Sequence, residues 1–117
     1  MSDPAALIAR LHEQRRRWVD LPGGARVRFL RPAETEFARF RLGVTVEHVC
    51  EYVDGWEGVS EATLLGASVG ASDPLPFTSD LWSTAVRDRM EWVPPVARAI
   101  AQSISDHLAA KDATAKN

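Results

Sequence analysis

Cysteine is nearly missing from this chain: Cys50 stands alone, so no intrachain disulfide can form and nothing points to an oxidising compartment. Long apolar runs are missing too. No stretch approaches the roughly 18 residues of a membrane span, and the opening "MSDPAALIARLHEQRRRW" lacks the continuous apolar core of a secretory signal. A cytosolic protein that meets no membrane is the expectation. Neither sign of charge is in excess: 14 basic and 16 acidic residues give a net charge of −2. That balance offers no global basic field for nucleic acid, although local patches remain. Repeats at solenoid periods are absent, as is low complexity outside the polar end "AAKDATAKN". At 117 residues the chain buries roughly two-thirds of its unfolded surface, enough for one unstapled core. One globular domain over residues 1–110 and a flexible, fraying polar tail over 111–117 are expected.

Hydrophobic spacing and breaker residues predict the elements. Asp3-Pro4 supplies an N-cap and a proline at the first helical position. Leu7, Ile8 and Leu11, with Trp18 as an extension, fall on one helical stripe. "WVDLPGGARVRFL" reads as a hairpin turning at Pro22-Gly23-Gly24, with Val27 and Phe29 on one face and Arg26 and Arg28 on the other. Pro32 opens a helix bearing Phe37, Phe40 and Val44, which breaks at Gly43. Residues 44–53 fit two patterns. Val46, Val49, Cys50 and Val53 suit a helix, whereas Val44, Val46, Cys50 and Tyr52 alternate as a strand would.

In "DGWEGVSEATLLG" the predicted helix ends at Gly55, Trp56 sits in a glycine-flanked turn, and Ser60 caps a short helix over Glu61–Leu65 that Gly66 stops. "GASVGASDPLPF" is a surface loop. Thr78 or Ser79 caps a helix with Leu81, Trp82, Ala85, Val86 and Met90 on its apolar face. Pro94-Pro95 after Trp92-Val93 ends one helix and starts the last, lined by Val96, Ala99, Ile100, Ser103, Ile104 and Leu108. The expected fold class is α+β and mainly α: an N-terminal helix, one small β-hairpin, then four or five helices.

Candidate chemistry is sparse. Zinc needs four ligands, or three and a water, and His12, His48, His107 and Cys50 are dispersed. In a helix His48 and Cys50 would diverge by about 200°. A Cys–His nucleophile would need an electropositive pocket, and the neighbours of Cys50 include Glu47, Glu51 and Asp54. Asp54 and Glu57 could face each other across a cleft, but they lack the apolar pocket that would separate two carboxyl pKa values and read as solvated turn acids. Gly66-x-x-x-Gly70 lacks the Gly-Lys-Ser/Thr ending of a phosphate loop. Arg15, Arg16 and Arg17 suit either a phosphate patch or a solvated helix end, and the latter is preferred. Nucleic-acid binding through "RRRW" and "ARVRFLR" is disfavoured, because Trp18 and Phe29 are better used as core. No catalytic residue, cofactor site or metal site is therefore expected, and no enzyme. Four tryptophans in so short a chain imply a well-packed core with one or two partner anchors to spare. Trp56, Trp82, Met90 and Trp92 are the candidate partner contacts.

The segments "GWEGVSEATLLG" and "DPLPFTSDLWSTAVRDRMEW" carry a Gly-Trp-x-Gly-Val turn, a Pro-Phe-Thr opening of a helix, and an Asp-Arg with a following aromatic. The pattern resembles the small tail assembly chaperones of long-tailed double-stranded DNA phages and prophages. "RVRFLRPAETEFARFR" is similar to the strand-then-helix start of such proteins, and the likeness spans Ala25 to Leu108. The resemblance implies a non-enzymatic protein of the host cytoplasm, absent from the finished virion. Its partners would be the tape-measure protein and the tail-tube protein, with self-association into rings or filaments. It also implies that "AAKDATAKN" could be the linker of a short form in a frameshifted pair, as well as a frayed end. Two rival readings stand beside it: a structural tail-completion or connector protein of the virion, and a small DNA-binding regulator.

Overall fold

The computed structural model describes residues 3–116, and three antiparallel strands and five α-helices account for most of them. Helix α1 (Pro4–Arg15) starts where Asp3 accepts from the Ala6 amide and Pro4 opens the first turn. It stops at Arg15, and Trp18 belongs to strand β1 (Arg16–Asp20), not to the helical stripe expected of it. The β1–β2 hairpin forms as predicted, pairing Trp18 with Arg28 and Val19 with Val27; β2 is Arg26–Leu30. Val27 and Phe29 are fully buried, and their arginine neighbours line the opposite face.

Beyond Pro32 the expected α-helix is a 3-10 segment, Glu34–Phe40, with the chain turning at Gly43. Thr45 then caps helix α2 (Val46–Tyr52). The two readings of 44–53 are thereby resolved for the helix over most of that span, and its buried residues are Val49, Cys50 and Tyr52.

A third strand is the main correction. Val53–Glu57 is β3, hydrogen-bonded to β2, so Gly55 and Trp56 lie in a strand where a turn was expected. Val27 pairs with Trp56, Arg28 with Gly55 and Phe29 with Val53, which leaves Asp54 as the extra residue of a β-bulge. The bulge breaks strict alternation, so Val53 and Trp56, three residues apart, both face the core. At Gly55 a Cβ would stand 3.3 Å from the Arg28 guanidinium; the bare glycine lets that side chain cross the strand.

Helix α3 (Glu61–Leu65), capped by Ser60 and ended at Gly66, follows the predicted bounds, whereas helix α4 (Ser79–Arg87), capped by Thr78, stops short of Met90, which opens a separate 3-10 turn, Met90–Trp92. Trp82, Ala85 and Val86 are buried on α4, whereas Met90, placed on the same apolar face by its spacing, is 83% exposed. Helix α5 (Val93–Ala115) begins at the diproline. At 23 residues it is about 35 Å long. Its helical path includes residues 111–115, where a frayed tail was expected, with Lys116 donating its amide to Asp112. Only its first half is core: Val96, Ile100 and Ser103 are buried, and the side chains beyond Leu108 are exposed.

The core lies between the inner face of the sheet and α2, α4 and α5. Helix α1 buries no residue, and Leu7, Ile8 and Leu11, predicted to form its inward stripe, are 47–55% exposed. The radius of gyration is 16.3 Å, above the about 13 Å of a compact chain this long. The excess reflects helix ends that reach beyond the core.

Candidate partner-binding surface

Three of the four candidate contact residues are interior side chains. Trp82 is inaccessible; its indole N–H donates to the Val49 carbonyl at 3.1 Å, and its ring stacks on Trp92 with centroids 6.0 Å apart. Trp92 is itself buried and carries the Arg89 guanidinium over its face at 5.2 Å. Arg89 also donates to the Thr63 and Leu64 carbonyls, satisfying the end of α3. Trp56 is buried as well, donating to the Leu75 carbonyl at 2.8 Å, with Phe77 edge-on at 5.3 Å. The residues that carry the sequence resemblance form two contact groups, Trp56 with Phe77, and Trp82 and Arg89 with Trp92, that hold the 66–77 loop, α3 and α4 to the core. Met90 alone of the proposed contacts faces solvent.

The remaining candidates also have structural duties. Asp54 is held between Arg16 and Arg28, at 3.0 and 2.9 Å, and Glu57 faces Arg26 at 3.7 Å, so these acids are ion-paired where solvated turn acids were expected. Trp18 lies on the outer face of the sheet with Arg26 4.2 Å above its ring and Arg28 at 5.8 Å. Its indole is 41% exposed, a correction to its assignment to the core. His48 completes a capping box: its Nδ1 accepts from the Thr45 amide at 3.1 Å. Cys50 is buried in the core. Among the described residues no group of three or more His, Cys, Asp or Glu could hold a metal ion, and no helix is long and apolar enough to cross a membrane. Tyr52 accepts from Arg39 at 2.8 Å and donates to Glu36 at 3.0 Å; burial, with help from Glu36, pushes its hydroxyl up to about 12.

The surface not spent on the fold lies at the other end of the molecule. Helix α1 and the second half of α5 flank an open cleft of about 640 Å³. Leu11, Gln14 and Arg15 line one wall, and Asp106, His107 and Ala110 the other. Arg17 and Arg31 form the floor, brought there by the β1–β2 hairpin. The helix is tied on at its base, where the Arg31 amide donates to the Arg15 carbonyl and Arg15 Nε donates to the Arg31 carbonyl. The sequence placed Arg15 and Arg17 with Arg31 on one possible basic face through "RRRW" and "ARVRFLR", and the strand pairing of the hairpin brings them together. Leu7 and Ile8 precede Leu11 by one helical turn and extend the cleft wall as an apolar stripe. A second, apolar groove of about 290 Å³ lies between the 3-10 segment and α5, lined by Phe37, Phe40, Val44, Ile104 and Leu108 among others.

Across the α5 side, Glu34 joins the 3-10 segment to the projecting helix end, 2.6 Å from Lys111 Nζ and 2.5 Å from His107 Nε2. Lys111 first and His107 second hold its carboxyl down at about 2. Chemically the region offers hydrophobic contact and fixed positive charge, which suit association. Comparison with protein-family models, with curated proteins and with solved structures finds no match to this chain.

Proposed function

We propose that the chain is a tail assembly chaperone of the kind found in long-tailed phages, binding the tape-measure protein in the host cytoplasm during tail morphogenesis. The observation that carries this reading is the unpartnered α1. A folded domain with a tryptophan-rich core leaves Leu7, Ile8 and Leu11 about half exposed on one helix that buries nothing. A holdase for long amphipathic helices needs an open apolar strip of that sort rather than a deep pocket. The sequence resemblance supports the same reading, and its residues have framework roles consistent with a shared architecture.

The test is association with the tape-measure protein encoded beside this chain. Co-expression is expected to keep that protein soluble, and a tagged chain is expected to capture it. Failure of both sinks the reading. If the chain is instead recovered by mass spectrometry in purified particles, a tail-completion or connector role replaces it.

A further inference from the structure

We propose that the cleft between α1 and the second half of α5 receives an amphipathic helix flanked by carboxylates, its acids meeting Arg15, Arg17 and Arg31 and its apolar side chains covering Leu7, Ile8 and Leu11. The proposal rests on the functional reading above and adds the docking site and the chemistry of the docked segment.

Charge is the first argument. On the sheet face and around α2 the arginines are matched: Arg16 and Arg28 hold Asp54, Arg26 faces Glu57, Arg39 holds Glu51 and Arg87 faces Glu47. The three arginines of the cleft have no carboxylate within ion-pair distance among the described residues. Their side chains donate to backbone carbonyls: Arg15 to Arg31, Arg17 to Gln14 and Arg16, Arg31 to Pro32. Asp106 is the one acid lining the cleft, and it accepts from Gln102 at 2.8 Å. Burial, then the neighbouring charges of Arg15 and Arg17, push the Arg31 guanidinium below its ordinary value, against a smaller opposing pull from Glu34, which is itself held by Lys111 and His107. Three cations are thus gathered against their own repulsion, and an anion entering the cleft would relieve it.

Shape and polarity identify the anion's carrier. The positive floor is continuous with the apolar stripe of α1, Leu7 to Leu11, which spans about 6 Å along the 12-residue helix. A ligand that satisfies both must pair apolar side chains with acids at helical spacing, which an amphipathic helix does and a free phosphate does not. Nucleic acid would cover the arginines but leave Leu7 and Ile8 wet, and it would meet a chain of net charge −2. A second copy is the poorer complement: the exposed end of α5 alternates Asp106, Lys111, Asp112 and Lys116 rather than presenting an acidic flank.

The test uses two fluorescein-labelled helical peptides with identical leucine positions, one flanked by glutamates and the other by lysines, and a short DNA duplex. Fluorescence anisotropy is expected to show binding of the glutamate peptide alone, weakening as salt rises. Arg17→Glu, on an exposed side chain, and Leu7→Ser are each expected to weaken it at least about tenfold with the circular dichroism spectrum unchanged. Arg31→Gln serves as the second charge variant, and Arg87→Glu, outside the cleft, is expected to leave binding alone. Equal binding by the Arg17 and Leu7 variants overturns the proposal. So does tighter binding of the lysine peptide or the duplex, or a dimer in sedimentation that Leu7→Ser disperses. Capture of the tape-measure protein equally by the wild-type chain and Arg17→Glu removes the site and leaves the function standing. Binding of the glutamate peptide without capture of the tape-measure protein removes the function and leaves the site.

Discussion

Trp82 and Leu7 are both large apolar side chains on helices with a proper N-cap, yet the first is wholly buried and the second is 47% exposed. The difference lies in what each helix meets. Helix α4 lies against α2 and the Met90–Trp92 turn, and its indole finds both a stacking partner and a carbonyl. Helix α1 is tied to the sheet at its base, through Arg15 with Arg31, Gln14 with Arg17 and Glu13 with Arg16, and none of its described residues is buried. Amphipathic spacing therefore marks a face able to be buried, and the tertiary arrangement decides whether this chain buries it. The tryptophan half is spent on the fold. The α1 end keeps its apolar side chains half exposed.

The sharpest way to break that contrast is to empty the first region. Trp82→Ala removes a fully buried ring, its stack on Trp92 and a satisfied indole, at a cost of about 3–5 kcal/mol. Against a total stability of about 5–15 kcal/mol, that is a large share, and urea titration is expected to show a much lower midpoint. A midpoint close to that of the wild type would mean that the region is not the core. A smaller break lies in the loop beside it. A Cβ on Gly70 would stand 2.4 Å from the Glu61 carbonyl carbon and 2.5 Å from the Ala62 nitrogen, so the loop must move off α3. Gly70→Ala is expected to cost about 1–3 kcal/mol. The same change should speed hydrogen exchange at the Ala62 amide, which donates to Ala71 at 2.9 Å.

How far the sequence alone reveals these two regions follows from what each depends on. Caps and breakers act over three or four residues, so Asp3-Pro4, Ser60 with Gly66, and Pro94-Pro95 could be placed directly, and the α4 cap to within Thr78 or Ser79. Strand β3 was hidden by its own bulge. With Asp54 inserted, the core-facing pair Val53 and Trp56 takes the i, i+3 spacing of a helix, and Gly55 looks like a terminator. Trp18 was spent on the core because its arginine cover comes from the neighbouring strand. The partner-binding candidates were chosen for size and aromaticity, the same properties that make Trp56, Trp82 and Trp92 core. The arginine floor was legible as the basic face of "RRRW" and "ARVRFLR", but that face was read for nucleic acid and disfavoured, and its place beside the exposed stripe of α1 depends on the tertiary arrangement. One local signal existed: after Leu11 the α1 stripe passes to Gln14 and Arg15, too polar a continuation for a core face.

Changes to α1 test the second region with the opposite expectation. Leu7→Ser and Leu11→Ser are expected to lower stability by at most about 1 kcal/mol each, because about half of each side chain is already in water. The pair should nevertheless abolish capture of the tape-measure protein. Thermal denaturation beside the pull-down separates the two effects. A large drop in melting temperature would show that α1 belongs to the core after all, and an unchanged pull-down would release it from partner binding.

The gentlest change is one of pH, and it reaches only the projecting end of α5. Glu34 is exposed, and its contacts with Lys111 and His107 hold its carboxyl at about 2 instead of the ordinary 4.5. The folded value is the lower one, so the bridge contributes in full above about 4.5 and is lost as pH falls through about 2. Lowering the pH from 7 to 5 should therefore leave Glu34 ionised and its pair with Lys111 intact. Descent toward 2 should loosen residues 107–115 relative to Glu34→Gln, in which the acid-dependent step is missing. The carboxyl carbon of Glu34, followed by NMR, should titrate well below the other exposed glutamates. Titration near 4.5 would mean that the bridge is not formed in solution and that the α5 wall of the cleft is held by the helix alone.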